Sequence, residues 1–137
     1  MKPYNLDHVA IAVRDLDAAL GEYERLYGVR PLYREVVQEQ GVEEAMIAMG
    51  GSFVQLLQPL SPETPVGTFL EKNGEGLHHL AFAVADIAIA LADLVSEGAR
   101  LIDESPRIGG RGAKIAFVHP KQTAGTLIEL VEHADGP

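Results

Sequence analysis

Two stretches of the chain, residues 8–13 (His-Val-Ala-Ile-Ala-Val) and 79–84 (His-Leu-Ala-Phe-Ala-Val), carry bulky apolar side chains at every second position. Such alternation predicts a strand with two unlike faces. Val9, Ile11 and Val13 share one face, as do Leu80, Phe82 and Val84; a helix can pack there. His8, Ala10 and Ala12, and likewise His79, Ala81 and Ala83, share the other. Small side chains on that face leave space for something other than protein. After each strand comes an aspartate, Asp15 or Asp86, placed to cap a helix by accepting a backbone N–H. The apolar period then becomes helical, through Leu16, Leu20, Tyr23 and Tyr27 in one stretch and Ile87, Leu91, Leu94 and Val95 in the other. Gly28 and Gly98 supply left-handed stops.

The two stretches are copies. Residues 8–20 and 79–91 lie 71 positions apart and agree at seven of thirteen positions: the histidine, three alanines, a valine, the aspartate and the last leucine. A repeat of this size organises everything else. Further strands are predicted at 31–37, 44–49 and 52–58 in the first copy, and at 100–103, 114–119 and 126–132 in the second. Turn signals separate them at Met49-Gly50-Gly51-Ser52 and from Pro120 to Gly125. The last strands also match, residues 54–58 with residues 128–132. Thr64-Pro65 opens a short helix that runs to about Asn73.

The predicted fold class is therefore α+β: two βαβββ modules forming a curved mixed sheet around a metal-containing cleft. One domain over 1–137 is expected, with module 1 at about 5–60, a linker helix at about 64–73 and module 2 at about 76–133.

Composition narrows the chemistry. The 137 residues include no cysteine, which excludes disulfides, thiolate ligands and a catalytic thiol. A formal net charge of −9 argues against a nucleic-acid footprint. No signal peptide or membrane span is read, and a cytoplasmic location is expected. Polar residues recur at matching places in the two copies. His8 and His79 begin the first strands on the same face, and Gln55 and Glu129 interrupt the apolar final strands. Taken alone, each has an ordinary structural explanation. Four of them together would satisfy one another by converging on a cation. Two imidazoles, a carboxylate and an amide oxygen suit cobalt, manganese, nickel, zinc or ferrous iron, whereas calcium would want more oxygens. A cation with about six ligands would keep about two positions for a substrate with two oxygens in chelating distance. His78 competes with His79 as ligand, and Gln58 and Glu132 are also in register. Strand position favours His79 and Gln55, leaving Gln58, Glu132 and His133 as exposed polar ends.

The same residues carry a resemblance. Leu6-Asp7-His8-Val9-Ala10, Glu39-Gln40-Gly41-Val42-Glu43-Glu44, Gly76-Leu77-His78-His79-Leu80-Ala81-Phe82 and the stretch from Ile115 to Leu130 resemble the methylmalonyl-CoA epimerase family of the vicinal oxygen chelate superfamily, over about residues 5 to 133. The resemblance implies metal ligands at His8, Gln55, His79 and Glu129. It also implies a catalytic base at Glu44, with Glu43 one position out of register. Methylmalonyl-CoA would be the substrate and a divalent cation, cobalt first, the cofactor. The reaction it implies is a 1,1-proton transfer through an enolate, with Glu129 the candidate for the second face by proximity, in a homodimer. Other enzymes of that superfamily are the alternatives: a glyoxalase I-like lyase, which commonly has a carboxylate where Gln55 stands, or an extradiol dioxygenase with three ligands. A non-catalytic bleomycin-binding module would need no metal quartet. Arg107, Arg111, Lys114 and Lys121, around Gly109-Gly110-Arg111-Gly112, could meet phosphate through side chains and loop N–H groups.

Overall fold

The computed structural model describes all 137 residues. Its elements follow the predicted repeat. Strand β1 (Asn5–Ala12), helix α1 (Leu16–Tyr27) and strands β2 (Tyr33–Val37), β3 (Val42–Met49) and β4 (Ser52–Pro59) make the first βαβββ set. Helix α2 (Pro65–Asn73) follows. Strand β5 (Gly76–Ala83), helix α3 (Ile87–Ser96) and strands β6 (Arg107–Ile108), β7 (Lys114–Val118) and β8 (Ile128–Glu132) make the second. Hydrogen bonding runs in the order β2-β3-β4-β1 in one set and β5-β8-β7-β6 in the other. β5 and β8 are parallel, while β2–β3, β3–β4, β6–β7 and β7–β8 are antiparallel, so the pairing is mixed. No helix is long and apolar enough to cross a membrane.

The helix ends form as the sequence predicts. Asp15 accepts from the Ala18 N–H and Asp86 from the Ile89 N–H, both at 3.0 Å. Thr64 caps α2 in the same way through Gly67. Gly28 closes α1 at φ +68°; at the end of α3 the left-handed residue is Gly98, φ +79°, two positions beyond Ser96. A second cap pair belongs to the repeat. Gln58 accepts from the Leu16 N–H at 2.7 Å, and Glu132 from the Ile87 N–H at 2.9 Å. These two side chains are not the exposed ends that the sequence reading made of them. They satisfy the first N–H of each helix, where the ladder of the helix itself supplies no acceptor.

The chain divides into two compact units whose limits differ from those of the repeat. One comprises Met1–His8 and His79–Pro137; the other comprises Val9–His78. The cuts fall inside β1 and β5, immediately after His8 and before His79.

In the Val9–His78 unit, Ile11 and Val13 pack with Leu16, Leu20 and Tyr23 of α1, as the bulky face predicts. The opposite face departs from expectation. Ala10 and Ala12 are fully buried against Val66, Phe69 and Leu70 of α2, with Val37, Val42 and Leu57. Their small size makes room for a helix, not for a ligand. The other unit repeats the arrangement on its bulky side, where Leu80, Phe82 and Val84 meet Ile87, Leu91 and Leu94 of α3. Ala81 packs under Ala113, Ile115, Val131 and Phe117. Each fully buried leucine or isoleucine, such as Leu16 or Ile87, contributes roughly 1.5–3 kcal/mol through burial.

A further correction concerns residues 100–103. Only Leu101 bridges to Val118, and the short strand of this module lies at Arg107–Ile108. The Asp103 carboxylate accepts from the Phe117 N–H at 2.9 Å, and the N–H groups of Ile102 and Asp103 both point to the Phe117 carbonyl. A side chain that occupies the neighbour's donor stops the ladder there.

Candidate metal and proton-transfer site

Six polar or charged residues are buried in this protein: Asp7, His8, Glu44, Gln55, His79 and Glu129. Burying such groups is costly unless they are paired with one another or with an ion. Five of the six are the residues singled out from the sequence; the sixth, Asp7, precedes His8.

His8, His79 and Glu129 lie together in one compact unit. β5 and β8 place Ala81 beside Glu129, so His79, two residues earlier on the same face, is a near neighbour of the carboxylate. Phe117, opposite Glu129 on β7, sets its ring edge-on to His79 at 5.4 Å between centroids. The Nε2 atoms of His8 and His79 are 3.2 Å apart. Glu129 Oε1 is 3.1 Å from His8 Nε2 and 3.6 Å from His79 Nε2. Donors bound to a cation at 2.0–2.2 Å stand about 2.8–3.6 Å from one another at octahedral to tetrahedral angles. The trio therefore has the edges of a coordination polyhedron.

His8 is held on its other side too. Asp7 Oδ2 takes the Nδ1 position at 2.7 Å, and Asp7 Oδ1 is bonded to His133 Nε2. His133, expected as an exposed polar end, is half-exposed and held by Asp7. Neither of these roles was anticipated. The available signal was an aspartate inside an otherwise apolar strand, next to a histidine.

Glu44 and Gln55 lie in the Val9–His78 unit. β3 and β4 pair Glu44 with Leu57 and Met46 with Gln55, so Glu44 and Gln55 are diagonal neighbours on one face. Gln55 Nε2 donates to Glu44 Oε1 at 3.1 Å. The amide oxygen of Gln55 is buried and has no hydrogen-bond partner. An orphaned carbonyl oxygen of this kind suits a cation as well as a donor. Glu43 faces the other way and pairs with Arg34 at 3.1 Å. His78 packs edge-on to Phe69. Of the basic residues near the glycine-rich loop, Arg107 is paired with Asp103 and Lys114 with Glu132.

The electrostatics follow from these contacts. Burial opposes a charge on His8, but hydrogen bonds to Asp7 and Glu129 override it and raise the imidazolium to about 9. Burial pushes Glu129 up, and the charge and hydrogen bonds of His79 and His8 more than reverse this, holding it ionised well below the usual carboxylate range. In cation-free protein, then, His8 carries a proton that a cation would replace. Because its folded value lies above the unfolded 6.5, the stabilisation is complete below pH 6.5 and disappears towards about pH 9. Thermal melts of chelator-treated protein should fall over that window. Cation-loaded protein should not follow, and the gap between the two should widen with pH. Parallel curves would show that His8 is not where the cation and proton compete.

The family model described as Glyoxalase/Bleomycin resistance protein/Dioxygenase superfamily matches residues 7–117. The uncharacterized Bacillus subtilis protein YqjC is 42% identical over 127 residues, spanning 93% of this chain and 91% of that protein. The ethylmalonyl-CoA/methylmalonyl-CoA epimerase of Cereibacter sphaeroides is 39% identical over 127 residues, spanning 91% and 95%. A solved variant of Streptomyces coelicolor methylmalonyl-CoA epimerase, in complex with 2-nitronate-propionyl-CoA, superposes with a TM-score of 0.95 at 42% identity, covering 98% of each chain. With its repeat, its buried donors and these full-length likenesses, the chain belongs to the glyoxalase/bleomycin resistance protein/dioxygenase superfamily.

Proposed function

We propose that this chain is a metal-dependent methylmalonyl-CoA epimerase, interconverting the 2R and 2S forms by 1,1-proton transfer. The observation that carries the reading is the buried polar set. Three of its members offer donor atoms at cation-ligand spacing, and a further buried carboxylate, Glu44, is not one of them. The likeness to epimerases over nearly the whole chain supports the same substrate.

In this reading His8, His79 and Glu129 hold a divalent cation, with Gln55 as fourth ligand through its orphaned amide oxygen. A nitrogen–oxygen donor set of this composition suits cobalt. The cation supplies Lewis-acid stabilisation of the charge that develops on the substrate's oxygens. Glu44 takes the proton from the carbon between the thioester carbonyl and the carboxylate. The hydrogen bond that Gln55 Nε2 donates to Oε1 orients this carboxylate. Glu129 is the candidate on the other face of that carbon. The two imidazoles hold it ionised, so it must take up a proton from solvent before it can return one to that face. The protein works in the cytoplasm as a homodimer.

Deuterium wash-in tests the reading. Purified protein incubated with methylmalonyl-CoA in D₂O should exchange the C2 proton, and chelation should stop the exchange until cobalt is restored. A protein that binds cobalt and leaves C2 unexchanged would exclude the epimerase and favour a lyase or dioxygenase of the same superfamily.

A further inference from the structure

We infer that Asp7, anchored by His133, is a positioning residue that fixes the tautomer and direction of His8 and so sets the affinity of the site for its cation. The inference rests on the metal reading above and adds two residues to it. Asp7 is 4% exposed, yet it lies outside the donor trio. Both of its oxygens are committed, Oδ2 to His8 Nδ1 at 2.7 Å and Oδ1 to His133 Nε2.

The direction of these bonds follows from chemistry. An ionised carboxylate only accepts, so His8 must donate through Nδ1 and His133 through Nε2. A proton fixed on Nδ1 leaves the Nε2 lone pair of neutral His8 facing His79 and Glu129. That is the only tautomer of His8 that can bind a cation there. The negative charge behind the ring also makes Nε2 a stronger donor to metal. Outer partners of this kind typically account for about 10–100-fold in metal affinity.

His133 performs the same service one step further out. It sits just beyond β8, the strand that carries Glu129, while Asp7 sits on β1. The His133–Asp7 bond therefore ties the strand of one donor to the strand of another, and it stops the carboxylate from turning away from His8. Asp7 could instead be only a buried structural acceptor. Then its loss would lower stability and leave the metal affinity of the folded protein alone.

Cobalt affinity separates the two, measured by competition with a chelating dye at a temperature where all variants are folded, with the cobalt absorption spectrum as a second readout. Asp7→Ala should weaken cobalt binding about 10–100-fold. His133→Ala, at a half-exposed position that should not compromise folding, should weaken it less. His133→Gln can still donate to Oδ1 and should restore most of what His133→Ala loses. Wild-type protein that binds no divalent cation would overturn the metal reading and this inference together. Tight binding by wild type, Asp7→Ala and His133→Ala alike would leave the metal reading standing and remove the positioning role. If Asp7→Ala fails to fold, the His133 pair decides the same question: equal cobalt affinity in His133→Ala and wild type overturns the inference.

Discussion

Glu44→Gln should lower the epimerisation rate by about 10²–10⁴-fold, the usual contribution of a positioned general base. The substitution keeps the shape of the side chain and removes its ability to take a proton. It should also keep the fold, because the new amide oxygen can still accept from Gln55 Nε2, as Glu44 Oε1 does now. Glu44 is not one of the three clustered donors, so cobalt content should be unchanged. The comparison that makes the result specific is Glu43→Gln. Glu43 pairs with Arg34 on the solvent side, and exposed pairs of this kind contribute little. Rates and wash-in from D₂O should be close to wild type there. Equal rates for Glu44→Gln and wild type would remove Glu44 from the chemistry; equal losses in both glutamine variants would point to a charge effect and not to proton transfer.

Most of the fold could be read from the chain because the repeat states each element twice. An aspartate before Leu16 is a weak sign of a helix start; the same aspartate before Ile87, at the same distance from a histidine, is a strong one, and both cap as expected. What escaped was long-range packing. Nothing local to Ala10 and Ala12 says that α2, more than fifty residues later, fills the space above them. Small residues signal room above the strand, but not what fills it. The missed stretch at 100–103 has a different cause. Leu101 and Ile102 have strand-like composition, and the structure turns on one side-chain bond from Asp103 that composition does not reveal.

The site was legible where it was duplicated. His8 and His79 stand at equivalent places, and their Nε2 atoms meet at 3.2 Å. Gln55 and Glu129 stand out as polar residues in apolar strands, and both are buried. Gln58 and Glu132 fit the repeat equally well, and strand position alone ranked them lower. Their actual employment as helix caps is a tertiary fact. Asp7 has no carboxylate counterpart in the other module: it corresponds to His78, which packs against Phe69. An asymmetric feature in a doubled chain cannot be found by comparing the halves, and a contact between residues 7 and 133 has no local signature.

Stripping the cation should cost as much as removing the base, and by an independent route. Lewis-acid stabilisation of the developing charge is worth several kcal/mol, which at about 1.4 kcal/mol per decade corresponds to a loss of about 10²–10⁴-fold. Protein dialysed against a chelator should show that loss and recover on addition of cobalt at about one equivalent per chain. Glu129→Gln should bind cobalt much more weakly, because it removes the one anion among the three donors while leaving both imidazoles in place. Gln55→Leu distinguishes three ligands from four. It is close in volume, keeps the strand apolar and deletes the orphaned oxygen. If Gln55 is a ligand, cobalt affinity should fall and the cobalt spectrum should change; if both match wild type, the trio alone holds the cation. Undiminished turnover by protein shown to contain no metal would refute the Lewis-acid role altogether, whatever the trio's spacing. The proton would then have to leave C2 with only protein groups to stabilise the charge.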